Sequence, residues 1–325
     1  MDSVLGIDVS KSGLDVCLLR PDQAVFHASF ANSDTGFKKL ADWLKKHKAG
    51  KVHACMEATS IYAWDVASFL EVRQHRVSVV NPARIKAYAR SQLQRNKTDK
   101  LDAQVIADFC RTQSPPLWTP PTEAEKRLLA LLRHHDDLTE MLQQTRNRLD
   151  TAREATVRSQ LQAQIDLLHQ HLREVLTQID QHFDQHPDLK QRRDLLTSIP
   201  GLGKLTAGKL LAEIPDIRHF SDVRQLVAFA GLNPQQRQSG GKRGYAHISK
   251  TGSASLRAAL YLPAVVAMQH NPILAAFAQR LRQRGLRGKA LVVAVMRKLL
   301  HLVFGILKSG QPFDPHHLTH PVAFT

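Results

Sequence analysis

The stretch VLGIDVSKSGLDVCLLRPDQAVFHASF, residues 4–30, decides the N-terminal fold. Three runs of apolar and β-branched residues are separated in it by Lys-Ser-Gly and Pro-Asp turn signals, which predicts a meander of strands. Helical and strand-like patterns then alternate, so the N-terminal part is predicted to be a mixed α/β sheet with flanking helices. The predicted elements are strands at Val4–Val9, Leu14–Arg20 and Ala24–Phe30, a helix around Phe37–Leu44, a strand at Val52–Met56, a helix near Tyr62–Val72 and a strand at Arg76–Val80.

The charge of the chain is large and unevenly distributed. The 325 residues include 45 Lys and Arg against 29 Asp and Glu, a formal net charge of +16 with a pI of about 10.0. Residues 1–189 carry 25 basic and 24 acidic side chains, whereas residues 190–325 carry 20 basic and 5 acidic ones. This balance favours a polyanionic partner, nucleic acid foremost, and the C-terminal half is the part expected to hold it.

Neither a disulfide framework nor a secreted or membrane-bound protein is indicated by the sequence. Cys17, Cys55 and Cys110 are far apart and form no C-x-x-C pair, which fits a reducing cytoplasm. The first ten residues lack the charged start and apolar run of a signal peptide. The apolar stretch 290–307 is interrupted by two cations and a histidine, so it is predicted to be a buried helix.

Long helices are predicted between about Glu123 and Phe183. Apolar residues recur there in alternating steps of four and three, the spacing of a coiled coil or a helical hairpin. These residues form an apolar stripe along each helix, called the seam. A seam of this kind either mediates oligomerisation or packs two helices of one chain together, and the pattern does not distinguish the two arrangements. The seam positions are Leu131, His135, Leu138, Leu142, Thr145 and Leu149, then Leu161, Ile165, Leu168, Leu172, Val175 and Ile179.

After Pro187 the composition changes to helices punctuated by Gly and Pro, which predicts an all-α part around a Gly-rich basic loop at Asn233–Gly252. The tail Gln311–Thr325 contains a histidine cluster that is typical of a solvated terminus, made of His316, His317 and His320. The predicted domains are therefore an α/β domain at 1–115, a helical segment at 120–186, a mostly helical domain at 190–310 and a tail at 311–325.

Two acidic residues stand at the ends of predicted strands. Asp8 lies among Val and Ile at the end of the first strand, where a lone carboxylate is costly unless it is paired or bound to a metal ion. Glu57 follows the strand Val52–Met56 in the same manner. If the fourth strand lies beside the first, both carboxylates converge at one edge of the sheet. That arrangement is the geometry of a divalent-ion site.

Two further acids, Asp99 and Asp102, are three residues apart at the start of a predicted helix, so they share a face. Acids in a first turn are also favoured by the helix dipole, with Thr98 as a cap, which is an equally good structural explanation. With Asp8 and Glu57 they make four hard oxygen ligands without Cys or His, a set that suits Mg²⁺ or Mn²⁺. Two such ions would support phosphodiester displacement.

The segment LTSIPGLGK, Leu196–Lys204, leads into a helix at Leu205–Ile214 and predicts a helix, a tight hairpin and a second helix. Gly201 and Gly203 would let backbone N–H groups at the helix start approach a phosphate, with Lys204 beside them. The same glycines would also make a tight turn between two helices. Contact with nucleic acid is the interpretation that we favour.

The loop RQSGGKRG, residues 237–244, places one hydroxyl among several cations and glycines. A serine that attacks phosphorus needs an exposed position on a flexible loop, nearby positive charge and a group or solvent that takes its proton. A serine in a Gly-rich basic loop is, however, more often an ordinary loop residue. The hydroxyl is that of Ser239, the cations are Arg237, Lys242 and Arg243, and the competing hydroxyls are those of Ser249, Ser253 and Ser255.

These residues make the chain resemble one family, the bridge-RNA-guided transposases of bacterial insertion sequences. The resemblance covers nearly the whole chain, and the motifs occur in the family's order. They are Gly6-Ile7-Asp8, Glu57-Ala58-Thr59, Arg95-Asn96-Lys97-Thr98-Asp99 with Asp102, Ser198-Ile199-Pro200-Gly201 with Gly203, Phe229-Ala230-Gly231-Leu232 with Pro234, and Ser239-Gly240.

The resemblance implies a RuvC-like (RNase H-like) N-terminal domain with a DEDD motif and a C-terminal transposase domain with a helix-hairpin-helix-like element. It implies a covalent phosphoserine between Ser239 and DNA, a structured bridge RNA, double-stranded donor and target DNA, and a homo-oligomer, dimer or tetramer, whose subunits share the site. The implied Mg²⁺ ligands are Asp8, Glu57, Asp99 and Asp102. The expected nucleic-acid contacts are Arg95, Lys97, Gly201, Gly203, Lys204, Arg237, Lys242 and Arg243.

Two other functions remain compatible with the sequence. A RuvC-type junction endonuclease would use the four carboxylates with water, leave Ser239 without a role and form no protein–DNA adduct. A DNA-binding regulator would use the basic half alone, although all four carboxylates are present. The function predicted first is an RNA-guided DNA recombinase that acts in the cytoplasm.

Overall fold

The fold is that of a computed structural model of the chain. The structure describes residues 3–58, 62–92, 99–214, 216–235, 238–239, 242–243 and 247–315, with the backbone alone for 99–100, 238–239, 242–243 and 247. The chain divides into two compact units, Met1–Pro120 and Pro121–Thr325.

The described part of the first unit is built on a mixed five-stranded sheet. Its elements are β1 (Ser3–Val9), β2 (Gly13–Leu19), β3 (Val25–Ala31), α1 (Asp34–Lys46), β4 (Val52–Glu57), α2 (Tyr62–Val72), β5 (Arg76–Val80), α3 (Pro82–Ser91) and α4 (Asp99–Gln113). The strand order is β3-β2-β1-β4-β5. Because β1 pairs antiparallel with β2 and parallel with β4, the predicted mixed α/β sheet is confirmed, and so is the position of the fourth strand beside the first.

Side chains on the two faces of this sheet form two core layers. Ile7 and its neighbours on one face pack with apolar residues of α1 and α2. Val4 and Cys55 on the other face pack with residues of α3 and α4. This division follows from the alternation of side chains along each strand. Helix α4 therefore covers one face of the central strands, and it does so next to the acidic ends of β1 and β4.

Gly6 allows α4 to approach β1 closely. A Cβ on Gly6 would lie 2.1 Å from the carbonyl oxygen of Ala103 and 2.4 Å from the amide nitrogen of Ala107, both backbone atoms of α4. In the variant Gly6→Ala, the added Cβ is expected to push α4 away from the sheet. The first unit should lose about 3 kcal/mol of stability, which lowers its melting temperature by roughly 10 °C. Thermal unfolding followed by circular dichroism measures this change. Gly13→Ala is the control, because its Cβ would make only an ordinary contact at 3.4 Å. Equal melting temperatures for the two variants would contradict the close approach.

The second unit begins with a hairpin of two long helices, α5 (Glu123–Thr151) and α6 (Ala155–Gln185). A capping box at Thr122 starts α5. Seam residues such as Leu142 on α5 and Ile165 on α6 are buried in one core cluster, so the two helices pack on each other within the chain. A role of this segment in oligomerisation stays a prediction.

The rest of the described second unit is mostly helical, as predicted. It contains α7 (Pro187–Thr197), α8 (Lys204–Glu213), a 3₁₀ turn (Ile217–His219), α9 (Val223–Phe229), β6 (Pro234–Gln235), β7 (Gln238–Ser239), β8 (Lys242–Arg243), β9 (His247–Ile248), α10 (Ala254–His270), α11 (Pro272–Gln283) and α12 (Gly288–Ser309). Helix α12 is long and apolar enough to cross a membrane by length and composition. It buries Leu299, Leu300 and Val303 in the core of this unit, and α12 packs against α7, α9, α10 and α11.

Candidate active site

Helix α4 runs antiparallel to β1 and β4. Near the end of α4, the Cys110 thiol donates to the carbonyl oxygen of His53 at 3.8 Å, close to the start of β4. Closer to the start of α4, the backbone of Ala103 lies against Gly6 in the middle of β1. The first turn of α4 therefore lies beside the carboxyl ends of β1 and β4.

Three of the predicted metal ligands lie at this end of the sheet. Ile7 and Met56 are paired in the register of β1 and β4, one residue before Asp8 and Glu57, so these two residues end adjacent parallel strands. They follow Gly6 and Cys55 by two residues and therefore belong to the face that α4 covers. Asp102 belongs to the first turn of α4. All three residues are partly exposed, so solvent ions can reach this end of the sheet.

The donor set fits a hard divalent cation in chemical type. Carboxylate oxygens are the ligands that Mg²⁺ and Mn²⁺ prefer, and Asp8, Glu57 and Asp102 supply only such oxygens. Asp99, the fourth predicted ligand, begins α4, and its side chain is outside the described part of the chain. Among the side chains that are described, no three His, Cys, Asp or Glu groups form a cluster that could hold a metal ion. Metal binding by these residues therefore stays a prediction.

Sequence reasoning missed a further carboxylate, that of Asp15. This residue is the register partner of Asp8 across β1 and β2, and it accepts a hydrogen bond from Ser29 Oγ at 2.5 Å. Like charges placed opposite each other on a sheet repel, so Asp15 adds to the negative charge that a cation would neutralise. Alternation along β2 would have placed Asp15 on the same face as Cys17, but only the strand register places it opposite Asp8.

The three cysteines of this unit are buried in its core, near the end of the sheet where Asp8 and Glu57 lie. Cys17, Cys55 and Cys110 are all free and buried. Burial raises the pKa of the Cys17 thiol to about 12. The hydrogen bond with Cys110, together with burial, raises the pKa of the Cys55 thiol. Cys17 and Cys55 therefore stay protonated near neutral pH.

The predicted helix, hairpin and helix are confirmed as α7, the turn at 198–203 and α8, and the two glycines of the turn have different roles. Gly201 has a φ of +101°, and a Cβ there would lie 2.8 Å from the Cβ of Ala267, so Gly201 lets the turn pack on α10. Gly203 precedes α8 without a side-chain cap, and a Cβ there would meet nothing within 4 Å. The open backbone that a phosphate can approach is therefore at Gly203 and Lys204.

Ser239 belongs to a short β-hairpin. Strand β6 pairs with β9, and β7 pairs with β8 inside them, so that Ser239 is the register partner of Lys242 and Gln238 that of Arg243. In the sequence, Gly240 directly follows Ser239. Within the loop that the sequence predicts to carry the serine, the described strands β7 and β8 pair through their backbones, and this pairing places Ser239 opposite Lys242.

The base of this hairpin is held by close backbone packing and by α10. A Cβ on Gly252 would lie 2.0 Å from the carbonyl oxygen of Phe229 and 2.4 Å from the amide nitrogen of Gly231. Arg257 of α10 donates to the carbonyl oxygens of Ala230 at 3.0 Å and Gly252 at 2.9 Å. These contacts fix where the hairpin joins the helical core. Gly231, the glycine of the Phe-Ala-Gly-Leu motif, has a φ of +66°, and a Cβ there would lie 2.7 Å from the amide nitrogen of Gly252, which explains why glycine occurs at that position.

Two of the three competing hydroxyls are engaged in structural hydrogen bonds. Ser249 Oγ donates to Asn233 Oδ1 at 2.5 Å across the hairpin base. Ser253 caps α10 and donates to Glu213 at 3.2 Å. Ser255 is exposed in the first turn of α10.

Several predicted residues lie outside the described part of the chain. These are Arg95, Lys97, Thr98 and Arg237, the side chains of Ser239, Lys242 and Arg243, and the histidines His316, His317 and His320. Their roles stay predictions.

Comparison with known proteins identifies the class. Residues 5–156 match a DEDD transposase family described as "Transposase", and residues 193–279 match the "Transposase IS116/IS110/IS902 family". The first match contains the acidic end of the sheet, and the second contains the α7–α8 turn and the Ser239 hairpin. The protein is a transposase-type DNA recombination enzyme, and its DEDD domain suggests the use of divalent metal ions.

Individual relatives support the same assignment. The chain is 34% identical over 318 residues to the pilin gene-inverting protein of Moraxella bovis, which covers 95% of this chain and 97% of that protein. It is 29% identical over 220 residues to the transposase for insertion sequence element IS1328 of Yersinia enterocolitica, covering 60% of this chain and 65% of the relative. It is also 29% identical over 223 residues to the transposase for IS1111A of Coxiella burnetii, covering 59% of each. The chain belongs to the IS116/IS110/IS902 family of transposases, which confirms the resemblance seen in its motifs.

Proposed function

We propose that this transposase exchanges DNA strands through a covalent phosphoserine at Ser239, under the guidance of a structured RNA. The metal ions would be Mg²⁺ or Mn²⁺, held by Asp8, Glu57, Asp99 and Asp102. The observation that carries the proposal is the shared end of the sheet, where Asp8 and Glu57 end neighbouring strands beside the first turn of α4.

The proposed reaction replaces one phosphoester bond by another. Ser239 Oγ attacks a DNA phosphorus and loses its proton, the new Oγ–P bond forms, and the bond from phosphorus to one deoxyribose oxygen breaks to release a hydroxyl end. Attack of a hydroxyl end from the other duplex then reverses the step and frees the serine. When bound, the divalent ions would stabilise charge on the attacking and leaving oxygens. Each bond broken is replaced by a similar one, so no ATP is needed.

Cations of the second unit have defined places in this proposal. Lys242, the register partner of Ser239, and Arg243 beside it would stabilise the pentacovalent transition state around phosphorus. Gly203 and Lys204 would bind the DNA backbone through the open start of α8. Gly203 and Lys204 begin α8, and the hairpin of Ser239 lies between α9 and α10, whose buried residues belong to one core cluster with those of α8.

Strand exchange is favoured over simple cleavage by one of the relatives. A protein named for inverting a pilin gene must rejoin the ends that it cuts, and this chain resembles it over 95% of its length. A junction endonuclease, in contrast, only cuts. We therefore extend a rejoining activity to this chain, acting on double-stranded donor and target DNA in the cytoplasm.

Guide RNA and oligomerisation complete the proposal, and both come from the family resemblance. The positive charge of residues 190–325 is compatible with RNA as well as DNA. Met141 on α5 and Leu167 on α6 are 53% and 50% exposed, so the helical hairpin offers apolar side chains to a second copy. We propose a dimer or tetramer in which the carboxylates of one subunit meet the serine of another.

The test is to trap the covalent intermediate. The purified chain is incubated with Mg²⁺, labelled donor and target DNA, and RNA transcribed from the non-coding region beside its gene, and the products are run on a denaturing gel. We expect label at the size of the protein, and mass spectrometry after nuclease digestion should find a nucleotide on the peptide that contains Ser239. The band should disappear when RNA is omitted or when EDTA removes the metal ion.

Each alternative gives a different gel. Cleavage without an adduct would replace the proposal by a metal-dependent junction endonuclease. Binding without cleavage under any condition would indicate a DNA-binding regulator. An adduct that forms equally well without RNA would overturn the guidance and keep the serine chemistry.

A further inference from the structure

The turn between α11 and α12 forms an exposed cationic surface, which we call the α11–α12 corner. Ten consecutive residues, 280–289, contain five cations and no acid, and all five are exposed. They are Arg280, Arg282, Arg284, Arg287 and Lys289. The corner begins one residue after the end of the transposase match at residue 279.

No acidic side chain that the structure describes neutralises the charge of the corner. No Asp or Glu occurs between Val223 and Phe313. None of the five cations makes an ion pair with any described residue. In the same unit, by contrast, Arg218 pairs with Asp216. An unneutralised cationic surface on a protein with a pI of about 10.0 attracts a polyanion.

Helix stability explains only some of these cations. Cations in the last turn of a helix are favoured by its dipole, which accounts for Arg280 and Arg282 at the end of α11. The same dipole disfavours Arg287 at the N-cap of α12 and Lys289 in its first turn, because cations oppose the positive end of a helix. Arg287 makes no capping hydrogen bond that would justify its position. An external anion would relieve this unfavourable arrangement.

Backbone hydrogen bonds connect the corner to the end of α11. The amide of Gly285 donates to the Arg282 carbonyl oxygen at 3.0 Å, and that of Leu286 donates to the Leu281 carbonyl oxygen at 3.0 Å, which closes the end of α11. Leu286 also packs against the core of the unit. At Gly285 and Gly288 a Cβ would meet nothing within 4 Å, so the backbone there is open to an approaching phosphate.

We propose that the α11–α12 corner binds the phosphate backbone of double-stranded DNA. Exposed cations that make no ion pair with a described residue recognise phosphates without reading the base sequence, so the corner would hold DNA of any sequence. DNA is chosen over RNA because the chain is a DNA recombination enzyme. The proposal does not depend on the phosphoserine chemistry, since it concerns binding alone.

The test compares salt-dependent binding by two triple variants of the full chain. Fluorescence anisotropy with a short labelled duplex of arbitrary sequence, without RNA, gives Kd over a series of NaCl concentrations. Arg282→Gln, Arg284→Gln and Arg287→Gln together should weaken binding about tenfold or more at low salt. The slope of log Kd against log salt should fall by about 2 to 3, since each lost phosphate contact removes about 0.9.

The control removes the same formal charge elsewhere. Arg111→Gln, Lys126→Gln and Arg218→Gln change cations that already pair with carboxylates, and they should leave the slope unchanged. Replacing the three corner arginines by lysine should preserve most of the slope, because the charge remains.

An unchanged slope in the corner variant, or an equal loss in the control, would overturn the proposal. A loss seen only with a structured RNA probe would overturn the assignment to DNA. Ser239→Ala should bind DNA normally, which separates this test from the strand-exchange mechanism.

Discussion

Ser239→Ala is expected to abolish both the protein–DNA adduct and the recombinant product. Alanine has no oxygen that could form the phosphoester, so the loss should be on the order of 10⁵-fold or more. Folding should be unaffected, because the hairpin around Ser239 is held by backbone pairing and its base is held by Arg257. The measurement is the rate of product formation in single-turnover reactions, together with the adduct band on a denaturing gel.

The control for this variant is Ser255→Ala. Ser255 is another serine of the same unit, exposed in the first turn of α10, and its loss should leave both the adduct and the rate near wild type. Affinity for DNA and RNA should be equal in the two variants, so that only chemistry differs between them. Product formation by Ser239→Ala at a rate within tenfold of wild type would remove Ser239 from the mechanism.

Asp102→Asn is expected to reduce recombination by roughly 10³-fold at any Mg²⁺ concentration near the physiological range. The amide keeps the size of the side chain but removes its charge, which weakens binding of a hard cation beside Asp8 and Glu57. A higher Mg²⁺ concentration should recover part of the activity, because weakened metal binding is restored by mass action. The measurement is the single-turnover rate as a function of Mg²⁺ concentration.

Asp108→Asn provides the matched change on the same helix. Asp108 accepts a hydrogen bond from Tyr88 at 2.6 Å and pairs with Arg111, so it has a structural role six residues further along α4. Its replacement should cost at most about 1 kcal/mol of stability, discounted for solvent exposure, and should leave the Mg²⁺ dependence unchanged. Full recombination activity of Asp102→Asn would rule out the carboxylate site, whereas equal losses in both variants would assign Asp102 a structural role only.

Much of the fold could be predicted from local patterns. The strands and helices of the first unit follow the alternation and spacing of apolar residues, and the predicted strand Arg76–Val80 and helix Tyr62–Val72 have the bounds observed. The α7–α8 turn was predictable because Pro and Gly mark it directly. Helices α5 and α6 were predictable as helices. Their packing partner was not, because the same apolar spacing occurs in a helical hairpin within one chain and in a coiled coil between two chains.

The candidate site was predictable in residue type and only partly in arrangement. Asp8 and Glu57 stand out because acids are rare at the ends of apolar strands, and the order of the strands brings them to one end of the sheet. Asp102 was predicted from its place at the start of a helix, and the packing of α4 on β1 brings that turn to the same end. Asp15 escaped notice because an acid in an alternating strand is usually solvent-facing. Only the antiparallel register reveals that it lies opposite Asp8.

By itself, the sequence determined the types of the elements, the mixed sheet, the hairpin between α7 and α8 and the family, because periodicity, turn residues and motifs are local in the chain. Only the tertiary structure decided that α4 packs closely against Gly6, that Gly201 packs on α10, and that the cations of the α11–α12 corner make no ion pair with a described residue. These features join residues far apart in sequence through register, close packing and the positions of carboxylates, which no local pattern encodes.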